Sequence, residues 1–493
     1  MRQNRLSPPP MNLKRGALTA AVLLITTVAM ASSYGVGGAS PGEPEPPITP
    51  YVSPPNPLRP TQGTGQAVLL NAQLDRTKLM QNGDGTVRMQ LTLTGEERSN
   101  DAPAMPSDVI VVLDRSGSMT GEKWQQARAA TQELIDQLGT NDRFSLVTYE
   151  SGVRLEIPLA RADRENRQRW RSIVSSLETA GGTNMSAGLD TAHRHLLERR
   201  EANRSARMIL ISDGQANDGD SSVGGLSARA RNAATSEYVL STVGVGLGFN
   251  EELMTALANV GTGNFYFVRE NVALAGVFKD EFESARTTVA SGLAVRLTPP
   301  AGVRVEDAAG YVLERHNNEV VFRPGTLFAG QKRTIWVRYR VPTHAQSSAP
   351  VLGGVRADYS DRGTRKHTIL ENLPQLALVT QEDDFYKGIN KDVWGEGVAV
   401  DQFNEVRLKV STAIQRGDRE EAERELRTYR SKSRAMNKRL GSAAVDKSIA
   451  ASSALEDDIA EAFTAPQSSA RRNEMSKQLK SSGFDGRRGG AKK

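Results

Sequence analysis

Three short segments carry oxygen donors at spacings suited to a single ion: Asp114-Arg115-Ser116-Gly117-Ser118, Gly181-Gly182-Thr183-Asn184 and Ile211-Ser212-Asp213-Gly214. Asp114, Ser116, Ser118, Thr183 and Asp213 offer two carboxylates and three hydroxyls, an all-oxygen set suited to a hard divalent cation such as Mg²⁺. Ser116 and Ser118 stand two residues apart in a turn that Gly117 lets bend tightly, so both hydroxyls can face one side. Hydroxyls are neutral and two carboxylates at most balance a divalent charge, which leaves room for an oxyanion from outside.

Other residue types point less sharply to chemistry. Asp218 and Asp220 could hold a second cation such as Ca²⁺, but a solvated acidic loop is the simpler account. Arg115 could steer an acidic partner or simply be solvated, and Trp124, at helical spacing with Ala127 and Thr131, reads as packing. Gly244, Gly246 and Gly248 resemble a nucleotide loop but lack the Lys-Ser or Lys-Thr that grips phosphate. The five histidines show no HExxH spacing, and His193 and His195, two apart in a predicted helix, cannot chelate from one face. With no cysteine there is no disulfide, thiolate site or cysteine nucleophile. No nucleophile, base and orienter can be named together, so the chain is not expected to be an enzyme.

The oxygen donors need strands to carry them. Residues 109–113 (VIVVL) form a continuous apolar run, as expected of a parallel strand buried on both faces. Trp124, Ala127, Thr131, Leu134 and Leu138 then recur at helical steps, and Gly139 supplies a stop. Strand-like runs at 144–149, 208–212 and 238–245 alternate with helix-like runs at 164–178, 185–200, 226–235, 250–259 and 271–285. This alternation predicts a doubly wound α/β domain over 106–286. In such a sheet ligands bind beyond the carboxyl ends of the strands, where Asp114, Thr183 and Asp213 all fall.

At these residues the chain resembles the von Willebrand factor type A (VWA) family. The family pattern of DxSxS, a later Thr in a glycine-bearing loop and a later Asp followed by Gly is matched at Asp114, Ser116, Ser118, Thr183 and Asp213. The resemblance implies a metal-ion-dependent adhesion site (MIDAS) binding Mg²⁺ or Mn²⁺. Ser116, Ser118 and Thr183 would be direct or switchable ligands, Asp114 and Asp213 would act partly through water, and a partner Asp or Glu would complete the shell. It covers about 180 residues. The flanks resemble, less specifically, bacterial exported proteins akin to the inter-alpha-trypsin inhibitor heavy chain family.

Before the α/β domain, residues 64–105 hold two strand candidates, 67–75 and 86–94, separated by Asn82-Gly83-Asp84-Gly85. Period-two patterning resumes over 287–382, and a seven-strand β-sandwich built from both flanks is expected, with the α/β domain inserted in it. Residues 383–465 turn to helix formers. Their charged stretch after Gly417-Asp418 carries a narrow stripe of Ala422, Leu426, Tyr429, Met436 and Leu440, which suits one neighbouring helix or self-association. Residues 466–493, rich in Lys and Arg, are expected to be a disordered basic tail.

Residues 1–31 combine Lys14-Arg15, an apolar run from Gly16 to Ala31 and a small-residue end, the pattern of a signal peptide, with an uncleaved membrane anchor as the alternative. A spacer over 32–63 follows, with nine prolines in 41–60. The net charge of +6 is concentrated in the tail without interleaved aromatics, so nucleic acid is not an expected partner. These readings predict an exported, non-enzymatic protein of the periplasm, cell envelope or extracellular space that grips a carboxylate on a protein partner. The alternative is a cell-envelope scaffold in which the metal only stabilises loops.

Overall fold

The computed structural model describes residues 67–97, 105–201, 203–213, 216–245, 249–268, 276, 287–344, 350–370, 373–464 and 468–487. The expected signal or anchor (1–31), the Pro-rich spacer (32–63), most of the expected helix at 271–285, and Gly214, Gly246 and Gly248 lie outside the described residues. Among those described, no helix is long and apolar enough to cross a membrane.

Three strands come first: β1 (Val68–Leu74), β2 (Lys78–Met80) and β3 (Thr86–Gly95). In β1 the apolar Val68, Leu70, Ala72 and Leu74 are buried while the residues between them are half-exposed, so the period-two pattern sets one wet face and one dry. β1 pairs antiparallel with β3, from Val68 opposite Gly95 to Leu74 opposite Met89.

The α/β domain runs through β4 (Ser107–Asp114), α1 (Glu122–Gln137), β5 (Arg143–Tyr149), β6 (Val153–Arg161), α2 (Arg164–Ser176), α3 (Met185–Glu198), β7 (Ser205–Ser212), α4 (Val223–Thr235), β8 (Val239–Val245), α5 (Glu251–Val260) and β9 (Thr262–Val268). The sheet order is β6-β5-β4-β7-β8-β9, parallel except for β6. Every residue of β4 is buried. Val109, Val111 and Leu113 pack with Trp124, Leu134 and Phe144 on one face, and Ile110 and Val112 pack with Leu189, Leu196 and Met254 on the other. Strand order reverses at β4, so the crevice between the carboxyl ends of β4 and β7 is the switch point where open α/β sheets bind ligands. Two strands of this sheet have no counterpart in the sequence reading. β6 is a half-exposed edge strand carrying Pro158, which an edge tolerates, and β9 is the opposite edge.

After it come β10 (Thr288–Thr298), β11 (Arg304–Ala308), β12 (Glu314–His316), β13 (Glu319–Phe328), β14 (Lys332–Arg340), β15 (Gly354–Asp361), β16 (Thr364–Leu370) and β17 (Ala377–Val379). β3 pairs with β14 from Thr94 opposite Lys332 to Thr86 opposite Arg340, so strands on either side of the α/β domain share a ladder. The sheets β1-β3-β14-β11 and β12-β13-β10-β15-β16 enclose one core that includes Leu70, Met89, Leu91, Val295, Phe322 and Ile335. Among the described residues these sheets hold nine strands, not the expected seven, because the short β12 and the hairpin partner β16 add to the second sheet; β2 and β17 form a separate parallel pair.

The helical region comprises α6 (Glu382–Lys387), α7 (Lys391–Glu396), a π-helical turn over Gly397–Gln402, α8 (Phe403–Gln415), α9 (Arg419–Leu440), α10 (Ala443–Thr464) and α11 (Ser468–Arg487). Asp418 caps α9 by accepting from Glu421 N at 2.9 Å, and Gly441 ends it in the left-handed region. Of the stripe, Ala422, Leu426, Tyr429 and Leu440 are buried against Val410, Ile414, Val445 and Ile449 of this same chain, and Met436 packs half-buried on the same core, so the stripe is used within the chain. Tyr429 Oη donates to Ser448 Oγ at 2.7 Å.

The expectation of a disordered tail over 466–493 is corrected by α11; residues 488–493 lie outside the described residues. Its basic residues meet acidic and aromatic groups far away in sequence. Lys477 Nζ sits 4.0 Å from the centre of the Phe249 ring, Lys480 pairs with the buried Glu251 at 3.7 Å, and Phe484 joins the α/β core. Arg487 pairs with Asp307 and, at 3.1 Å, with Asp401. One helix therefore fastens the α/β domain, the sandwich and the other helices together.

Asp401 is 1% exposed, so Arg487→Ala leaves a buried carboxylate without its cation; a loss of about 3–5 kcal/mol is expected, measured by urea unfolding. A second prediction concerns pH. The buried His195 accepts at Nε2 from Leu159 N at 2.8 Å, which requires the neutral ring. Burial, and then Arg199, hold His195 below the usual 6.5, against Glu198. A lowered folded value means that its contribution to stability is whole above pH 6.5 and is lost as pH falls through the folded value. Urea midpoints are expected to fall between pH 7.5 and pH 5, and to fall less in His195→Gln, whose carboxamide oxygen can still accept from Leu159.

Candidate metal centre

β4 delivers Asp114 at its last residue and β7 delivers Ser212 at its last, with Asp213 next. Asp114 Oδ1 accepts from Ser116 N at 2.8 Å and Oδ2 from Ser212 Oγ at 2.7 Å. Burial pushes Asp114 up from the usual carboxylate range; hydrogen bonds from Ser116 and Ser212 oppose this, and the charge of Asp213 adds to it. A short 3₁₀ turn over Gly117–Met119 then turns the chain so that Ser116 Oγ and Ser118 Oγ lie 3.1 Å apart. Ser118 Oγ donates to Asp213 Oδ1 at 2.8 Å. Four of the five sequence-predicted residues thus form one continuous hydrogen-bonded group.

Thr183 reaches the same rim through its backbone. Gly117 N donates to Gly181 O at 3.1 Å and Ala180 N to Arg115 O at 2.8 Å, tying its loop to the loop after β4. Thr183 N donates to Asn217 Oδ1 at 2.8 Å, while Asn217 N and Asp218 N donate to Thr183 O. Gly181 has φ +69°, and a Cβ there would stand 2.1 Å from Glu150 Oε2. The carboxylates, Ser116 and Thr183 are buried, whereas Ser118 is exposed, so the group opens toward solvent at Ser118.

Several residues here were not marked by the sequence reading. Lys123, in the first turn of α1, places Nζ against Asp213 Oδ2 and donates to Ser118 O at 3.2 Å. Its signal was a lysine at a helix start, where a cation is disfavoured. Glu150 accepts from Arg115 at 3.0 Å, and Arg115 also donates to Glu178 O at 3.1 Å, so Arg115 is a buried tie between loops and not a solvated steering charge. Trp124 packs in the core and donates to Leu177 O at 3.2 Å.

The other candidates have structural roles. Of the two carboxylates suggested for a second cation such as Ca²⁺, Asp220 is paired with the Arg229 guanidinium at 2.7 Å and accepts from Ser222 Oγ at 2.7 Å, while Asp218 accepts from Gly219 N at 2.9 Å. His193 Nδ1 meets Tyr238 Oη at 3.1 Å. Gly244 lies under Phe249, whose ring a Cβ would meet at 2.4 Å, so it serves packing. Among the described residues no three His, Asp or Glu side chains form a metal cage. The residues at the switch point fit a hard cation all the same: two adjacent carboxylates, one of them held by an ammonium in a cation's stead, with two hydroxyls beside them.

A family model described as "von Willebrand factor type A domain" matches residues 108–280. Those residues form a VWA domain. The chain is 27% identical over 251 residues to the protein called "Uncharacterized protein YfbK" of Escherichia coli strain K12, covering 49% of this chain and 43% of that one. Over 162 residues it is 29% identical to inter-alpha-trypsin inhibitor heavy chain H3 of Mesocricetus auratus, covering 32% of this chain and 18% of that one. The chain thus spans less than half the length of these two curated relatives. The solved structure of von Willebrand factor type A from Catenulispora acidiphila aligns with a TM-score of 0.63 at 18% identity, covering 86% of this chain and 98% of that one, which is a likeness of fold. VWA domains commonly mediate protein–protein interaction with a divalent metal, and they are generally interaction modules and not enzymes.

If the site holds Mg²⁺ at about 100 times its dissociation constant, the folded state gains about 2.7 kcal/mol. A rise in melting temperature with Mg²⁺ or Mn²⁺ over EDTA is therefore expected, and Ser118→Ala and Asp213→Ala are expected to remove it.

Proposed function

We propose that this chain is an exported binding protein whose VWA domain uses a Mg²⁺ or Mn²⁺ ion to coordinate an Asp or Glu side chain of a partner protein. Ser116, Ser118 and Thr183 would hold the ion directly, with Asp114 and Asp213 beneath them. A bound divalent ion supplies a Lewis-acidic position for an oxyanion. This chain's own residues do the rest. Ser116 N and Ser212 Oγ hold Asp114 in place, and Ser118 bridges toward Asp213.

The observation that carries the reading is the layering at the switch point: buried carboxylates below, exposed Ser118 above. With two carboxylates the site can neutralise a divalent ion without overcharging it, so a third carboxylate from outside remains favourable. Export is supported by the basic-apolar-small pattern of residues 1–31, which would alternatively anchor the chain to a membrane. No nucleic-acid partner is proposed.

A scaffold reading, in which metal only stabilises loops, is favoured by the backbone ties between the 115–117 and 180–181 segments. A displayed library of random peptides separates the two readings. Selection on the protein in Mg²⁺ is expected to enrich peptides bearing Asp or Glu that dissociate in EDTA and fail to bind Asp213→Ala. Binding that survives EDTA would refute the adhesion reading, and metal-raised melting without any selected peptide would favour the scaffold.

A further inference from the structure

We propose that Lys123 is a tethered counter-cation of the metal site, which holds Asp213 when no ion is bound and must leave that carboxylate for a divalent ion to use it. The inference rests on the metal reading above and adds a competitor built into the chain. Its basis is geometric. The Lys123 ammonium contacts Asp213 Oδ2 and donates to Ser118 O at 3.2 Å, so it touches both segments that supply ligands. The Asp213 side chain has no exposed surface, whereas that of Lys123 is 36% exposed. The carboxylate is therefore fixed and the cation is the movable member, on a long flexible stem.

A second observation is independent of that contact. Lys123 lies in the first turn of α1, next to Glu122 and just after the cap residue Gly121, which has no side chain to accept from the free N–H groups there. A cation there faces the positive end of the helix, which disfavours it. The pairing with Asp213 offsets this. Arg115, the other cation beside the metal loop, cannot play the part because it is bound to Glu150 and Glu178 O.

Two opposite effects follow from one substitution. Without its ammonium, Asp213 is left buried with less compensation, so the metal-free protein should melt earlier. The divalent ion then meets no competitor and no adjacent positive charge, so it should bind more tightly.

The test is calorimetric titration of the full chain with MgCl₂ and MnCl₂, beside melts in EDTA, for the wild type, Lys123→Met, Lys123→Arg and Arg128→Met. Arg128 lies on the same helix and donates to Ser175 O, so it controls for net charge alone. Lys123→Met is expected to tighten metal binding about tenfold while lowering the melting temperature in EDTA, with Lys123→Arg close to wild type and Arg128→Met nearly unchanged. Equal or weaker binding by a folded Lys123→Met, or equal tightening by Arg128→Met, would overturn the proposal. Binding by Lys123→Met but not by wild type would support it. Absence of binding in every variant would sink the metal reading and this inference together.

Discussion

Two carboxylates buried next to each other at the ends of neighbouring strands are the constraint on which the α/β domain depends. Asp114 and Asp213 are 0% and 2% exposed, and a buried carboxylate is unfavourable by several kcal/mol unless donors or cations answer it. The donors come from three directions. Asp114 is answered by neutral groups of its own loop and of β7, and Asp213 by a serine hydroxyl and an ammonium from α1. Burial pushes Asp114 up from the usual carboxylate range, and Asp213 is the member of the pair that holds a side-chain cation.

The same groups give the surrounding loops their shape. The loop after β4 is pinned to the Gly181 segment by backbone bonds, and Arg115 pins it to Glu150, so the hydroxyls rest on a connected shelf. Gly181 fits this shelf because its backbone is left-handed, a conformation in which any other side chain would be strained. A small shift of Ser116 or Ser118 would be felt in three loops at once.

At the other end of the chain, α11 solves a related problem with the opposite charge. Its Lys and Arg residues, which on composition suggest a solvated tail, are drawn into contacts with Phe249, Glu251, Asp307 and Asp401. Buried ion pairs add little net stability compared with apolar packing, yet breaking one is costly, so such pairs fix position more than they raise stability. The positive surplus of the chain is therefore partly used inside the fold.

The sequence by itself determined the α/β domain and singled out the oxygen-bearing residues Asp114, Ser116, Ser118 and Asp213 that the fold brings into one hydrogen-bonded group. A five-residue apolar strand before Asp114, and Ser, Thr and Asp placed after strands, are local patterns, and local patterns are legible because periodicity and turn chemistry act over a few residues. The edge strands β6 and β9 were missed because edge strands lack a full apolar run, and the nine-strand count because short strands such as β12 exist through pairing with distant partners. Only the tertiary structure decided that Lys123 lies on Asp213, that Asp220 is neutralised by Arg229, and that the basic C-terminal segment is a docked helix. These are charge pairings, nine residues apart for Asp220 with Arg229 but 90 for Lys123 with Asp213 and 180 for Arg487 with Asp307. The physical reason is that a charge declares its sign in the sequence, while its partner is chosen by which buried groups the fold brings within a few ångströms.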